Sequence, residues 1–283
     1  MTTDLLAQGH SIWADLAWLA IPARGLATAV FVGGVIWLME RASPFIGGIV
    51  LALPIVTAPA YVFLLLQDDP DFAAHAALGS LATVGAVLLF LVTVIALLRR
   101  FPMTVALPCG LLVWLLSGLV IRQLPALLPV SLAVFALAAL IAWRTGSSVP
   151  LTAPAARGRS PLYETVLRGI AAGLLVALVS GASALLGPRL TGILSSFPVA
   201  LLVVCSFMPR RLERTGMRAA LRATQIGLAS HVPFFLSMTL LAPRLGGGPA
   251  VVIGITGSLA VALTLGLLRR AVLRRQAVKS AAA

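Results

Sequence analysis

Long apolar runs, separated by short clusters of charged residues, proline and glycine, follow one another along almost the whole chain. A helix needs about 20 apolar residues to cross a hydrocarbon core about 30 Å thick. The runs do not alternate apolar and polar positions, so they predict helices and not barrel strands. Breaking the chain at its charged and Pro/Gly clusters predicts nine spans: 17–39, 45–66, 74–98, 103–121, 125–143, 165–186, 189–208, 219–242 and 248–268.

Composition supports the same fold class, an all-α polytopic membrane protein. The chain is 60% hydrophobic and 10% charged, with a mean hydropathy of +1.07, whereas soluble domains carry about 25% charged residues. The N-terminal sequence MTTDLLAQGHSIWADLAWL has neither the basic region nor the small-residue cleavage site of a secretory signal peptide. We therefore expect the first helix to be retained.

The net charge of +13 predicts topology rather than nucleic-acid binding. The arginines lie between apolar runs, and no basic segment is interleaved with solvent-facing aromatic residues. Seventeen of the 21 basic residues fall in one set of connections and four in the other. Because basic residues concentrate on the cytoplasmic side, the C-terminus is predicted to be cytoplasmic and the N-terminus to lie outside.

Two segments 144 residues apart share a proline and glycine pattern: SPFIGGIVLALP at 43–54 and GPRLTGILSSFP at 187–198. Aligning 24–54 with 168–198 gives nine identities in 31 positions. They include the pairs Arg24 and Arg168, Gly25 and Gly169, Pro44 and Pro188, Gly48 and Gly192, and Pro54 and Pro198. This match predicts an internal duplication.

The predicted copies contain four spans each, and the fifth span, 125–143, lies between them. An odd helix between two such copies reverses the orientation of the second, which predicts the inverted repeat of many secondary transporters. The predicted domains are a first repeat (1–121), a linker helix with a cytoplasmic loop (122–163), a second, inverted repeat (164–268) and a basic cytoplasmic tail (269–283).

The paired prolines Pro54 and Pro198 mark the first candidate site. Each is expected about ten residues into a span, where it frees the carbonyl four residues earlier, at Val50 or Leu194. A broken helix is tolerated where it faces protein or a wet cavity, and inverted-repeat transporters bind substrate at such breaks. The alternative is a packing kink whose serines bond to their own helix. The candidate substrate-binding residues are Pro54, Thr57, Tyr61, Ser195, Ser196 and Pro198.

The eighth span carries the second set of candidates. Arg218, Arg222 and Gln225 share one helical face, and an inward-facing Arg222 would hold an anion through charge-assisted hydrogen bonds. The alternative is that Arg222 extends to the membrane surface as an anchor, which is the expected role of Arg218. His231, two residues before Pro233, is a candidate proton carrier or a partner for a freed carbonyl.

Other chemistry lacks residues to support it. No carboxylate is predicted at the middle of a span, and no nucleotide-binding loop, metal cluster or Ser-His-Asp arrangement occurs. We therefore expect no enzymatic activity, no catalytic residues, no metal site and no cofactor. Cys109 and Cys205 both fall in apolar runs and are expected to be buried free thiols.

Three motifs of the second copy resemble the GlpM-like family of small bacterial inner-membrane proteins: TGILSSFP, MRAALRAT at 217–224 and HVPFFLSMTLL at 231–241. The resemblance covers roughly residues 187–265. The first copy departs from it, with Leu53 before Pro54 and Gly79 in place of the arginine. The matching positions are Gly192, Phe197, Pro198, Ala220, Leu221, Arg222, Ala223, Thr224, Pro233 and Phe234.

The resemblance implies a bacterial inner-membrane location and a chain formed from two four-helix units fused in opposite orientations. The family is associated with glycerol metabolism and exopolysaccharide production. Because the first copy lacks the arginine, an anion would be held by Arg222 from one copy only.

Two functions follow as hypotheses. The first is an alternating-access transporter of a small, anionic solute or a phosphate-bearing lipid carrier. The second is a non-transporting membrane partner of a polysaccharide or envelope assembly. A polar cavity from Pro54 and Pro198 to Arg222 would favour the first, and a dry interior the second. Expected partners are membrane lipids and a small-molecule or lipid-linked substrate, with a homodimer as a candidate assembly and no nucleic acid.

The topology prediction is tested by reporter fusions. Fusions in the 67–73 turn should report an external location, and fusions in 145–160 and 269–283 a cytoplasmic one, because the basic residues divide in that way. Finding 67–73 and 145–160 on the same side would contradict the inverted repeat.

Overall fold

The computed structural model describes residues 22–23, 25–34, 53–66, 69–149, 161–210 and 212–281. Regular structure within these ranges is helical throughout. Two 3₁₀ turns, Met208–Arg210 and Leu228–Ser230, lie before and after α8. The helices are α1 (Gly25–Gly34), α2 (Thr57–Leu65), α3 (Pro70–Leu97), α4 (Met103–Gln123), α5 (Leu128–Gly146), α6 (Leu162–Ser195), α7 (Val199–Phe207), α8 (Arg214–Gly227), α9 (His231–Leu245) and α10 (Gly247–Ala281).

Local sequence sets where these helices begin and end. At the start of α3, the Asp69 side chain accepts a hydrogen bond from the Asp71 amide at 3.0 Å, and Pro70 occupies a first-turn position. Both features are favoured at helix N-termini. At the end of α9, Gly246 has φ +83°, a left-handed conformation that glycine adopts without steric cost. The chain therefore turns there into α10.

Six helices in the described part of the chain are long and apolar enough to cross a membrane. This confirms the prediction of a helical, multi-pass membrane protein at that level. The six are α3, α4, α5, Leu162–Val179 within α6, Arg214–Leu245 spanning α8 and α9, and Gly247–Leu268 within α10.

The central element of the bundle is α3, which packs against α4, α5, α6 and α9. Its most apolar stretch is 72% buried inside the protein, compared with 17% for α5 and 22% for α10. The outer helices instead expose large apolar side chains, such as Leu112, Leu137 and Leu174, which suit contact with lipid.

Glycines allow α3 and α6 to cross with their backbones in contact. A Cβ on Gly192 would overlap the carbonyl oxygen of Ala76, and one on Gly79 would lie 2.9 Å from the carbonyl oxygen of Arg189. Inside a membrane, small residues favour helix association because they permit this close approach. The crossing fixes the position of the central helix relative to the second half of the chain.

The predicted boundary between spans 165–186 and 189–208 coincides with a kink in α6, where Gly187 has non-helical backbone angles at φ +70°. The segment after the kink is helical as far as Ser195, so the predicted span 189–208 is itself interrupted before α7 begins at Val199. Pro188 follows directly and can occupy the first turn of the continuing segment, where its missing N–H has no intrahelical partner to lose. The glycine-proline pair therefore bends the helix, and the helix ends eight residues later.

Part of the predicted repeat lies outside the described residues, including Arg24, Pro44 and Gly48. Of the two cysteines, Cys205 is buried as expected, but Cys109 is exposed on α4. The prediction failed for Cys109 because an apolar run alone does not distinguish the packed face of a membrane helix from its lipid face.

Replacing Gly192 should weaken the bundle. In Gly192→Ala the added methyl group meets the Ala76 carbonyl, so we expect a loss of about 1–3 kcal/mol, typical of overpacking. Thermal unfolding in mild detergent measures the change. Gly248→Ala is the control, since nothing lies within 4 Å of its added Cβ. Equal midpoints for the two variants would contradict the close approach.

Candidate functional site

A cluster of hydroxyl groups connects α2, α3 and the end of α6. The Tyr61 hydroxyl lies 2.7 Å from the Ser80 hydroxyl, which lies 2.9 Å from that of Ser195. Both serine hydroxyls also lie 2.8 Å from the Gly192 carbonyl oxygen. Each hydroxyl has one proton, so Ser80 and Ser195 can both donate to the Gly192 carbonyl oxygen while Tyr61 donates to Ser80, which satisfies all three hydroxyl groups.

The hydroxyl cluster of Tyr61, Ser80 and Ser195 is buried. Tyr61 and Ser80 are 0% exposed, and Ser195 is 5% exposed. The Tyr61 ring meets those of Phe234 and Phe235 edge-on, at centroid distances of 5.6 and 5.9 Å. Aromatic rings therefore close one side of the cluster, and the backbone contact of α3 with α6 closes another.

The break at Pro198 lies directly after the hydroxyl cluster. Helix α6 ends at Ser195 and α7 begins at Val199, so three residues separate them. The prediction of a free Leu194 carbonyl is wrong, because it accepts a hydrogen bond from the Phe197 amide at 3.0 Å. The residues after Ser195 form a tight turn that satisfies this carbonyl. Ser196 donates to the Ser80 carbonyl at 3.4 Å.

The break at Pro54, in the first proposed copy, lies directly before α2. Pro54 is buried, and its carbonyl accepts a hydrogen bond from the Ala58 amide at 2.8 Å in the first turn of α2. Thr57 is the buried first residue of α2, one turn before Tyr61. Val50, the other predicted free carbonyl, lies outside the described residues.

The structure brings Tyr61, Ser195 and Ser196 together around Ser80, which the sequence analysis did not name. Ser80 follows Gly79 in a run of small residues, AALGS, where two helices can approach closely. This run of small residues is the feature of the sequence that could have identified Ser80. It does not show which helix would supply the hydrogen-bond partner of Ser80.

Arg222 lies at a second site, on α8, and is 6% exposed. Its Nη1 donates to the Ala142 carbonyl at 2.6 Å and to Gln225 Oε1 at 3.2 Å, and its Nη2 lies 3.5 Å from the Trp143 carbonyl. These carbonyls belong to the last turns of α5, where a cation is favoured by the helix dipole. A Cβ on Gly146 would overlap the guanidinium. The end of α5 therefore covers Arg222.

His231 begins α9 and lies against Phe235, with ring centroids 6.4 Å apart. Its Nδ1 has no hydrogen-bond partner among the residues described. Pro233 falls in the first turn of α9, where a missing N–H is tolerated, so it does not kink the middle of a helix. The roles predicted for His231, Arg222 and Gln225 in ligand binding stay predictions.

Arg189 and the connection between α4 and α5 line a small crevice. Arg189 donates through Nη2 to the Ile121 carbonyl at 2.5 Å and to the Leu124 carbonyl. The crevice has a volume of about 10 Å³, close to the minimum for one water molecule. No group of three potential metal ligands occurs in the described ranges.

Comparison of the chain with models of protein families, with curated proteins and with solved structures found no match. The resemblance to the GlpM-like family therefore stays a prediction based on the motifs of the second copy.

The hydroxyl cluster should show energetic coupling between its members. In a double-mutant cycle, Tyr61→Phe and Ser80→Ala should couple by about 0.6–1.7 kcal/mol, the average and upper values for hydrogen bonds between membrane helices. Unfolding equilibria in mixed detergent give the four free energies. Tyr61→Phe with Thr93→Ala is the control cycle, because Thr93 bonds only to the Leu89 carbonyl of its own helix. Additive effects in both cycles would disprove the coupling.

Proposed function

We propose that the chain is a bacterial inner-membrane transporter built from two inverted four-helix repeats and working by alternating access, with its N-terminus outside. The spacing of the helices supports the repeat. Helices α3 and α8 begin at Pro70 and Arg214, and α4 and α10 begin at Met103 and Gly247. Both pairs are separated by 144 residues (214 − 70 and 247 − 103), the offset of the sequence match.

Contacts between the proposed copies also support the repeat. A Cβ on Gly173 would meet the Gly25 carbonyl, and one on Gly169 would meet the Ala29 carbonyl. At the offset of 144, Gly25 and Ala29 of the first copy correspond to Gly169 and Gly173 of the second. Gly25 contacts Gly173 and Ala29 contacts Gly169, so the two equivalent segments pack against each other as antiparallel helices. Helix α4 of the first proposed copy contacts α7 of the second. The reciprocal contact also occurs: α10, the equivalent of α4, contacts α2, the equivalent of α7. A pseudo-two-fold axis in the membrane plane relates contacts in this way.

The observation that carries the transport proposal is the hydroxyl cluster. It joins the helix after the first break, through Tyr61, to the helix before the second break, through Ser195. Substrate sites of inverted-repeat transporters lie between such interrupted helices. In this proposal the buried cluster represents an occluded conformation, and separation of α2 and α3 from α6 exposes it to one side at a time.

The proposed substrate is a small anionic solute or a phosphate-bearing lipid carrier, with Arg222 as its charge partner. In the present conformation the Arg222 guanidinium is bonded to α5 carbonyls. Binding of an anion therefore requires the end of α5, the helix without an equivalent in the proposed repeat, to move away. An anion would then replace the carbonyl oxygens as the hydrogen-bond acceptor.

The second candidate is a non-transporting partner of a polysaccharide or envelope assembly. The complete burial of Tyr61 and Ser80 favours it, because a static bundle needs no path for a substrate. Both candidates predict the same packing in this conformation. They differ in whether the cluster ever opens.

Thiol labelling distinguishes the two candidates without knowledge of the substrate. Ser195→Cys, in a chain with Cys109→Ala and Cys205→Ala, is treated with a membrane-impermeant maleimide in intact cells and in inside-out vesicles. We expect slow labelling from both sides, because alternating access exposes the cluster to each side in turn. Mass spectrometry measures the labelled fraction.

The control for this experiment is Ala138→Cys in the same background. Ala138 is 3% exposed and packs against Gly85 at the contact between α3 and α5, away from the hydroxyl cluster. It should resist the reagent from both sides. Resistance of Ser195→Cys from both sides would favour the non-transporting partner, and labelling from one side only would exclude alternating access.

A further inference from the structure

The crevice beside Arg189 extends from the exposed connection between α4 and α5 to the buried backbone of α3. Pro125 and Ala126, which line its outer part, are exposed, whereas Gly79, which lines its inner part, is buried. Gly79 directly precedes Ser80, the residue that joins the members of the hydroxyl cluster. The crevice therefore ends one residue away from this cluster.

The Arg189 side chain joins two helices at the crevice. Arg189 lies on α6, and its Nη2 donates to the carbonyls of Ile121 and Leu124 at the end of α4. A guanidinium carries several donors in a fixed plane, so one side chain can hold both carbonyls. The end of α4 therefore cannot move away from α6 at this point until both hydrogen bonds break.

The crevice and Arg222 lie at opposite ends of α5. Ser131, in the first turn of α5, lines the crevice, whereas Arg222 bonds to the Ala142 and Trp143 carbonyls in the last turns of the same helix. Leu78 also lines the crevice, and it is the equivalent of Arg222 at the offset of 144 (222 − 144). The two-fold axis of the proposed repeat therefore relates the crevice to the Arg222 site.

We propose that this crevice is the external entrance to the hydroxyl cluster and that Arg189 is its gate. When the two Arg189 hydrogen bonds break, the end of α4 separates from α6 and the crevice widens towards Gly79. The freed guanidinium then presents its donors and its positive charge at the entrance, which suits an anionic substrate. This inference rests on the proposed function, because it requires the hydroxyl cluster to open.

The gate is tested in the parent chain already described, which carries Ser195→Cys, Cys109→Ala and Cys205→Ala. Adding Arg189→Gln should raise the rate of maleimide labelling in intact cells about tenfold or more, because hydrogen bonds from a charged donor are stronger than neutral ones. The rate in inside-out vesicles should not rise. Arg189→Lys should give an intermediate external rate, since an ammonium group keeps the charge but lacks the planar fork.

A further substitution tests the entrance. Ala126→Trp places a large ring at the exposed outer part of the crevice. Added to the Arg189→Gln chain, it should return the external labelling rate towards that of the parent, because the reagent must pass the ring to reach residue 195. An unchanged rate would show that the reagent enters elsewhere and would overturn the proposed entrance.

Arg122→Gln is the matched control for the gate. It removes a positive charge one residue from Ile121, but Arg122 is exposed and takes no part in the Arg189 contact. The external labelling rate should therefore stay at the parent value. Equal rates in Arg122→Gln and Arg189→Gln would overturn the gate. If thermal unfolding shows that Arg189→Gln does not fold, Arg189→Lys compared with Arg122→Gln decides the outcome.

The same measurements separate the gate from the proposed function. Labelling of the parent from both sides, without an external gain in Arg189→Gln, would overturn the gate and leave alternating access in place. An external gain in Arg189→Gln, with a parent that is labelled from neither side, would support the gate and contradict alternating access.

Discussion

The contact of α3 with α6 at Gly79 and Gly192 is the constraint on which the bundle depends. Apolar side chains gain little by leaving lipid for protein, so helices in a membrane associate through close packing and hydrogen bonds. The two glycines bring the backbones near enough for Ser80 to reach the Gly192 carbonyl at 2.8 Å. Because α3 also contacts α4, α5 and α9, this crossing positions most of the other helices.

Two arginines, one buried and one partly buried, show how the bundle accommodates cations through backbone carbonyls. Arg222 donates to carbonyls near the end of α5, and Arg189 to carbonyls at the end of α4. A cation is favoured near a helix C-terminus because the negative end of the helix dipole lies there.

The sequence predicted the helical class, most described spans and the break before α7. These features depend on the length of an apolar run and on the position of a proline, both of which are local properties of the chain. It could not place Ser80, whose partners lie on other helices, or the acceptors of Arg222, which depend on how α5 packs. The kink between the predicted spans 165–186 and 189–208 lies at Gly187, where the sequence predicted a boundary, because a glycine-proline pair is a local signal. Cys109 was mispredicted because apolar residues line the lipid face as well as the core.

The long sequence separation of the central hydrogen bond has a consequence for biosynthesis. Ser80 and its acceptor at Gly192 are 112 residues apart. Chains grow at about 5–20 residues per second, so α3 leaves the ribosome roughly 6–20 seconds before the segment that carries its acceptor. During that interval the Ser80 hydroxyl must bond within its own helix, to water or to the insertion machinery. Helix α3 is therefore made well before the α6 segment that supplies its hydrogen-bond partner.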